Sequence, residues 1–224
     1  SIENHPMKKL IFISTGRCGT KRIAQILAEK LPRDRYAVAH QMKWSRLANV
    51  VGNIIYYFGN WEKLNEFLYG FVISRYECGK SFVSTDPLTA MVVPARYASS
   101  PDVCLVHILR DEAAFADSMF SLSRSRWKSL IAHNFVPLWQ PGIWPVENLL
   151  NKNIRKKYEK ICALKNRFFM TKYSHSPNYH RVNMSDIFST GILQQLTNEW
   201  FNEKIEIRPA DLERKANESS PSRF

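Results

Sequence analysis

The chain has 224 residues, enough for one domain with a full core and few for two, so residues 1–224 read as a single domain. Its 45% hydrophobic content is ordinary for a globular protein, and no run of about 18 uncharged apolar residues marks a membrane span. A net charge of +12 calls for an anionic partner, while four scattered cysteines without close pairing fit reduced thiols in a cytoplasmic protein better than a disulfide framework or a zinc site.

The first predicted element is the apolar run Leu10-Ile11-Phe12-Ile13, short and bounded by turn residues, as in a buried strand of a parallel sheet. A loop from Ser14 to Arg22 follows. Ile23, Leu27 and Leu31 recur at helical spacing, so a helix starts near Thr20. Strand, glycine-bearing loop and helix form the geometry that holds a phosphate. Gly16 and Gly19 let the backbone turn and approach an anion, and the free amides and positive end of the helix attract it. Arg17, Lys21 and Arg22 add formal charge.

The loop departs from the magnesium–nucleotide pattern, which needs Gly, four residues, then Gly-Lys and a hydroxyl on the metal. Here Lys21 stands two places after Gly19, and Arg22 takes the hydroxyl's place. A cation at that position argues for a phosphate neutralised by side chains, with no metal. The six histidines are dispersed, which also predicts no metal cluster.

Tyr36 to His40 reads as a second strand. Residues 43–78 are dense in aromatics and read as two helices broken near Gly59-Asn60, their rings expected in the core and a pocket wall. Ser81 to Thr85 is a third strand ending at Asp86-Pro87. Val103 to Leu109 is a fourth, ending in Arg110, with Asp111 as the N-cap of the next helix. On that helix Phe115, Met119 and Leu122 form an apolar stripe, and Ser118 falls on another face. The stretch 127–144, rich in Trp and Pro, reads as an irregular cover over a pocket. Glu147 to Phe169 reads as one long helix, with the basic cluster near Lys152–Lys157 a solvated face. Tyr179 to Val182 is a fifth strand, and a further helix begins at Asn183–Ile187. Alternating strands and helices predict an α/β, P-loop-like fold: three layers around a parallel sheet of about five strands.

Gly16-Arg17-Cys18-Gly19-Thr20-Lys21 resembles the 5′-phosphosulfate loop of the sulfotransferases that use 3′-phosphoadenylyl sulfate (PAPS), which runs Lys or Arg, then Ser-Gly-Thr-Thr. Arg17, Gly19 and Thr20 match; Cys18 and Lys21 depart from it. Arg110 and Ser118, eight places apart, resemble that family's 3′-phosphate element. The resemblance implies that Gly16, Arg17, Cys18, Gly19, Thr20 and Lys21 hold the 5′-phosphate, with Arg17 and Lys21 also stabilising the leaving group. It implies that Arg110 and Ser118 hold the 3′-phosphate. Arg22 falls where some members stack a Trp on the adenine, so it either stacks there or is plain surface. Arg214, Lys215 and Asn217 are either a late basic loop over the nucleotide or, by composition alone, a frayed terminus. PAPS is then the donor, PAP the product and a small molecule the acceptor, with neither metal nor nucleic acid required.

Two residues at strand ends are candidates for the base. His40 accepts a proton at neutral pH if its pKa is ordinary, and Asp86 does so if desolvated. Each has a plain alternative, as a hydrogen-bonded strand end and as a turn former before Pro87. Ser118 bonded to its own helix backbone is the plain alternative for that hydroxyl. The rival functions are a P-loop kinase of small molecules or nucleotides, and a basic protein that binds nucleic acid without catalysis. A cyclic natural product, a lipid or a sugar would fit an aromatic acceptor pocket.

Overall fold

The apolar run near the head of the chain forms the central strand, β1 (Lys9–Ser14), of an all-parallel five-stranded sheet. The computed structural model describes residues 7–59, 61–77, 79–125 and 153–213. The other strands are β2 (Tyr36–Ala39), β3 (Ser81–Ser84), β4 (Val103–Leu109) and β5 (Tyr179–Asn183), in spatial order β2-β3-β1-β4-β5. β1 and β4 are paired along their length, from Lys9 opposite Val103 to Ser14 opposite Ile108. All five strands begin where the sequence pattern puts them or within one residue.

Side chains of β1 alternate between two cores, as the pleat requires. Leu10 and Phe12 pack with Ile23 and Leu27 of α1 (Thr20–Lys30) and Leu193 of a later helix. Ile11 and Ile13 pack on the opposite face with Tyr69, Val72, Phe169 and Tyr173. Those residues belong to α3 (Glu62–Glu77) and α6 (Ile154–Tyr173), so helices cover both faces and the three-layer α/β reading holds. Between them in sequence lie α2 (Ser45–Phe58), the short α4 (Ala95–Ala98) and α5 (Glu112–Ser125). After β5 come α7 (Met184–Ser189), α8 (Ile192–Phe201) and α9 (Pro209–Glu213).

This order creates a switch point beside β1. The chain leaves β1 toward α1 on one face and leaves β4 toward α5, which packs on α6, on the other. Two adjacent strands whose exits diverge leave a crevice at their carboxyl ends, the usual ligand position in an open parallel sheet.

Some expectations shift. The long helix starts at Ile154, capped by Asn153 accepting from the Lys156 amide, and runs on to Tyr173; residues 147–152 lie outside the described ones, as does the cover expected at 127–144. In its basic cluster, Lys157 is buried rather than solvated. The aromatic segment forms the two expected helices, α2 and α3, but only part of it is core: Tyr69 is buried, whereas Trp44, Phe58, Trp61 and Phe67 face outward. Cys18, Cys104 and Cys162 are buried free thiols. No helix among the described residues is long and apolar enough to cross a membrane.

Candidate functional site

The loop after β1 turns through left-handed conformations at Gly16, Arg17 and Gly19, with φ of 87°, 56° and 71°. Gly16 and Gly19 adopt these freely; Arg17 is held there by its surroundings. Inside the loop, the Gly16 amide donates to Ser14 Oγ (3.1 Å), and Cys18 Sγ donates to the Gly16 carbonyl (3.2 Å). Cys18 is fully buried, and burial pushes its thiol pKa up, so it serves the loop as a neutral donor rather than as a nucleophile.

Gly19 caps α1 without any side-chain capping bond. The first-turn amides therefore keep their capacity for an anion. Gly19 is also fixed by space: a Cβ there would meet the Phe188 ring of α7 at 2.6 Å. The Arg22 guanidinium lies over the same ring, 5.2 Å from its centroid. Its Nε and Nη2 are buried and lack a hydrogen-bond partner among the described residues. Thr20 is buried beneath this turn, and Lys21 is exposed at its rim.

The second motif meets the first. Arg110 follows the tip of β4, and its Nη1 donates to the Arg17 carbonyl. Arg17 Nε in turn donates to Ser118 Oγ at 3.0 Å. Ser118 thus turns its hydroxyl to the loop arginine, and the spacing from Arg110 brings both to one point. Asp111 caps α5 as expected, its Oδ1 accepting from the Ala114 amide (2.8 Å). Burial, and then the neighbouring charge of Arg110, hold the Arg17 pKa below the ordinary arginine value. Two guanidinium groups held together in this way favour an anion between them.

His40 and Asp86 lie beside this crevice, with distinct environments. His40 Nδ1 is 3.1 Å from the Thr85 carbonyl and 3.0 Å from its hydroxyl. A proton on Nδ1, given to that carbonyl, leaves Nε2 as the basic nitrogen. Burial lowers the His40 pKa; Asp86 opposes this and Lys21 adds to it, so the ring is neutral at pH 7. Asp86 is 1% exposed, and its two oxygens accept from the amides of Met42 (2.8 Å) and Leu88 (2.9 Å). Burial raises its pKa against those bonds. Asp86 ties the β2–α2 turn to the chain after β3, a positioning task.

Lys165 escaped the sequence reading. It lies on the buried stripe of α6 with Tyr158, Ile161, Cys162 and Phe169, fully enclosed, and its Nζ donates to the Pro87 carbonyl (3.1 Å). Burial brings its pKa down to about 7, against the pull of Cys18, Asp86 and Cys162. A lysine in the apolar phase of an amphipathic pattern was the available signal. The expected late loop of Arg214, Lys215 and Asn217 lies outside the described residues. Among the described residues, no group of His, Cys, Asp and Glu is placed to hold a metal.

No family model matches the chain, and no curated protein matches it. A search of solved structures finds a "Sulfotransferase Domain from the Curacin Biosynthetic Pathway" at 12% identity and a TM-score of 0.44, over 92% of this chain and 76% of that one.

Two outcomes follow from this geometry. Gly19→Ala should cost about 1–2 kcal/mol of stability from the left-handed backbone alone, and disturb the Arg22–Phe188 stack, as chemical denaturation will measure. A lysine with a lowered native pKa binds fewer protons folded than unfolded, so stability rises as pH goes from about 7 toward 10.5. Melting temperature should rise in the lower part of that range, up to about pH 8.5, above which the buried thiols of Cys18, Cys104 and Cys162, with raised pKa, act in the opposite sense. Lys165→Met should flatten the rise without abolishing it, because buried Lys172, lowered to about 8, acts with Lys165.

Proposed function

We propose that the protein is a sulfotransferase that carries a sulfuryl group from PAPS to a hydroxyl or amine of a small molecule, releasing PAP. The observation that carries this reading is the convergence of Arg17, Arg110 and Ser118, separated by 93 and 101 residues in sequence yet joined by hydrogen bonds. A donor bearing phosphates at both 5′ and 3′ positions needs two anion sites side by side. The amides of the loop and α1, with Arg17 and Lys21, supply one; Arg110 and Ser118 supply the other. The unpartnered Nε and Nη2 of Arg22, beside the Phe188 ring, suit a flat heterocycle rich in acceptors.

PAPS would supply an activated sulfuryl group whose leaving partner is a phosphate oxygen. The chain's own residues do the remaining work. The loop amides and Arg17 stabilise negative charge on that oxygen, which is electrostatic catalysis of the kind a preorganised donor set provides. His40 Nε2 takes the acceptor's proton, because its ring is neutral at pH 7 and its tautomer is set by Thr85. Asp86, engaged by two backbone amides, holds the turn that carries His40 rather than moving the proton itself.

Binding of PAP, AMP and ATP, compared by calorimetry in the absence of Mg²⁺, tests the nucleotide part. PAP should bind far more tightly than AMP, and Arg110→Ala should weaken PAP by about 10- to 100-fold while leaving AMP nearly unchanged. Equal affinity for PAP and AMP, or binding of Mg–ATP alone, would return the protein to the kinase reading. His40→Asn should lower kcat by about 10²- to 10⁴-fold with PAP affinity preserved; loss of PAP affinity instead would make His40 a structural residue.

A further inference from the structure

The outer face of the α2–α3 hairpin has an apolar surface that the proposed chemistry does not use. Nine large hydrophobic side chains are exposed among the described residues, and eight of them lie between Trp44 and Phe71. Phe58 is 79% exposed, Phe67 68% and Trp61 57%. Scattered exposed apolar residues need no explanation, but a concentration on one pair of helices marks an interaction surface.

The patch has a direction. α2 is 14 residues long, about 21 Å, and α3 returns antiparallel to it. At one end Trp44 and Phe71 are in ring contact, 6.2 Å between centroids. Trp44 follows Met42, whose amide is bound by Asp86, and His40 lies just before it, so this end forms a lip of the crevice. At the other end Phe58 and Trp61 form the hairpin tip. Leu47 and Ile54 continue the face between them.

Its border is basic. Lys43, Arg46 and Lys63 are exposed at its ends, against the exposed Glu66. The Lys43 ammonium stands 5.8 Å from the Trp44 ring centroid, a cation over an aromatic face. A second copy of this chain is a poor occupant, because two-fold pairing would set this basic border against itself on molecules of charge +12 each. Aromatic and aliphatic side chains edged by Lys and Arg suit the interface of an anionic bilayer, where tryptophan prefers the headgroup level and the cations meet lipid phosphates.

We propose that this hairpin face docks the protein on an anionic lipid bilayer and turns the mouth of the crevice toward it. If the sulfuryl-transfer reading also holds, the acceptor is an amphiphile whose hydroxyl or amine is presented at the membrane surface. The docking stands without that reading, because it is measured without turnover.

Co-sedimentation of the full chain with phosphatidylcholine vesicles, with and without phosphatidylglycerol, tests it alongside tryptophan emission. Wild type should sediment with the phosphatidylglycerol vesicles, shift its emission to the blue and release as salt rises. Phe58→Ser with Phe67→Ser should weaken binding at least about tenfold. Lys43→Gln, Arg46→Gln and Lys63→Gln together should weaken it about fivefold per charge. Circular dichroism and melting temperature, which exposed substitutions should leave unchanged, verify that the variants fold. Failure of wild type to bind phosphatidylglycerol vesicles, or equal binding by the Phe58/Phe67 variant, overturns the proposal. So does a wild-type dimer in solution that this variant dissociates, which would assign the face to a second copy. Weak PAP binding, by contrast, would sink the enzymatic reading and leave the docking untouched.

Discussion

Two arginines held against each other form the constraint on which the crevice depends. Arg110 binds the backbone of Arg17, and Arg17 reaches on to Ser118, so neither cation is free to swing into solvent without giving up a bond. The arrangement carries a cost: burial first, and then the charge of Arg110, hold the Arg17 pKa below the ordinary arginine value. An anion placed between the two groups relieves that cost, and charge-assisted bonds from guanidinium to phosphate are strong and geometrically selective. The strained φ of Arg17 belongs to the same arrangement: the left-handed turn presents its carbonyl to Arg110 while its side chain extends toward α5.

Beneath this pair lies a layer of enclosed polar groups that fix the crevice from behind. Asp86 gathers the amides of Met42 and Leu88, Lys165 holds the Pro87 carbonyl, and Thr85 orients His40. All but the Leu88 amide bond, which closes a local turn, join segments from different parts of the chain at the carboxyl ends of the strands. Buried ionic groups add little net stability, since desolvation offsets attraction, but they define geometry sharply because any misplacement leaves one unpaired. His107 shows the same logic one layer down. It is fully buried in β4 between Tyr179 and Asn166, and burial lowers its pKa to about 4, which keeps the ring neutral and structural.

The hairpin has the opposite character. α2 and α3 bury one side against the sheet and the chain following β3, with Ile55, Tyr69 and Val72 enclosed, yet keep apolar residues on the other. A helix hydrophobic on more than one side has either a second partner or a second solvent.

The sequence by itself determined the parallel α/β fold, the strand starts, the glycine-bearing turn between β1 and α1, and the placing of Arg110 at a strand tip with Ser118 on the helix after it. These are local: buried strands, glycine turns, caps and helical spacing are written within a few residues of one another. Tertiary structure decided which cations meet. The contact of Arg17 with Arg110 and Ser118 exists because β1 and β4 are neighbours whose exits diverge, a relation between strands some ninety residues apart in the chain. It also gave His40 and Asp86 different surroundings: the Asp86 carboxylate accepts from two backbone amides, while His40 meets Thr85 through Nδ1. Finally, it sorted the aromatic residues of 43–78 into core and surface. Both sides of α2 and α3 carry apolar residues, so periodicity could not say which side the sheet would take; only the packing of the hairpin against β3 and the residues after it settled that.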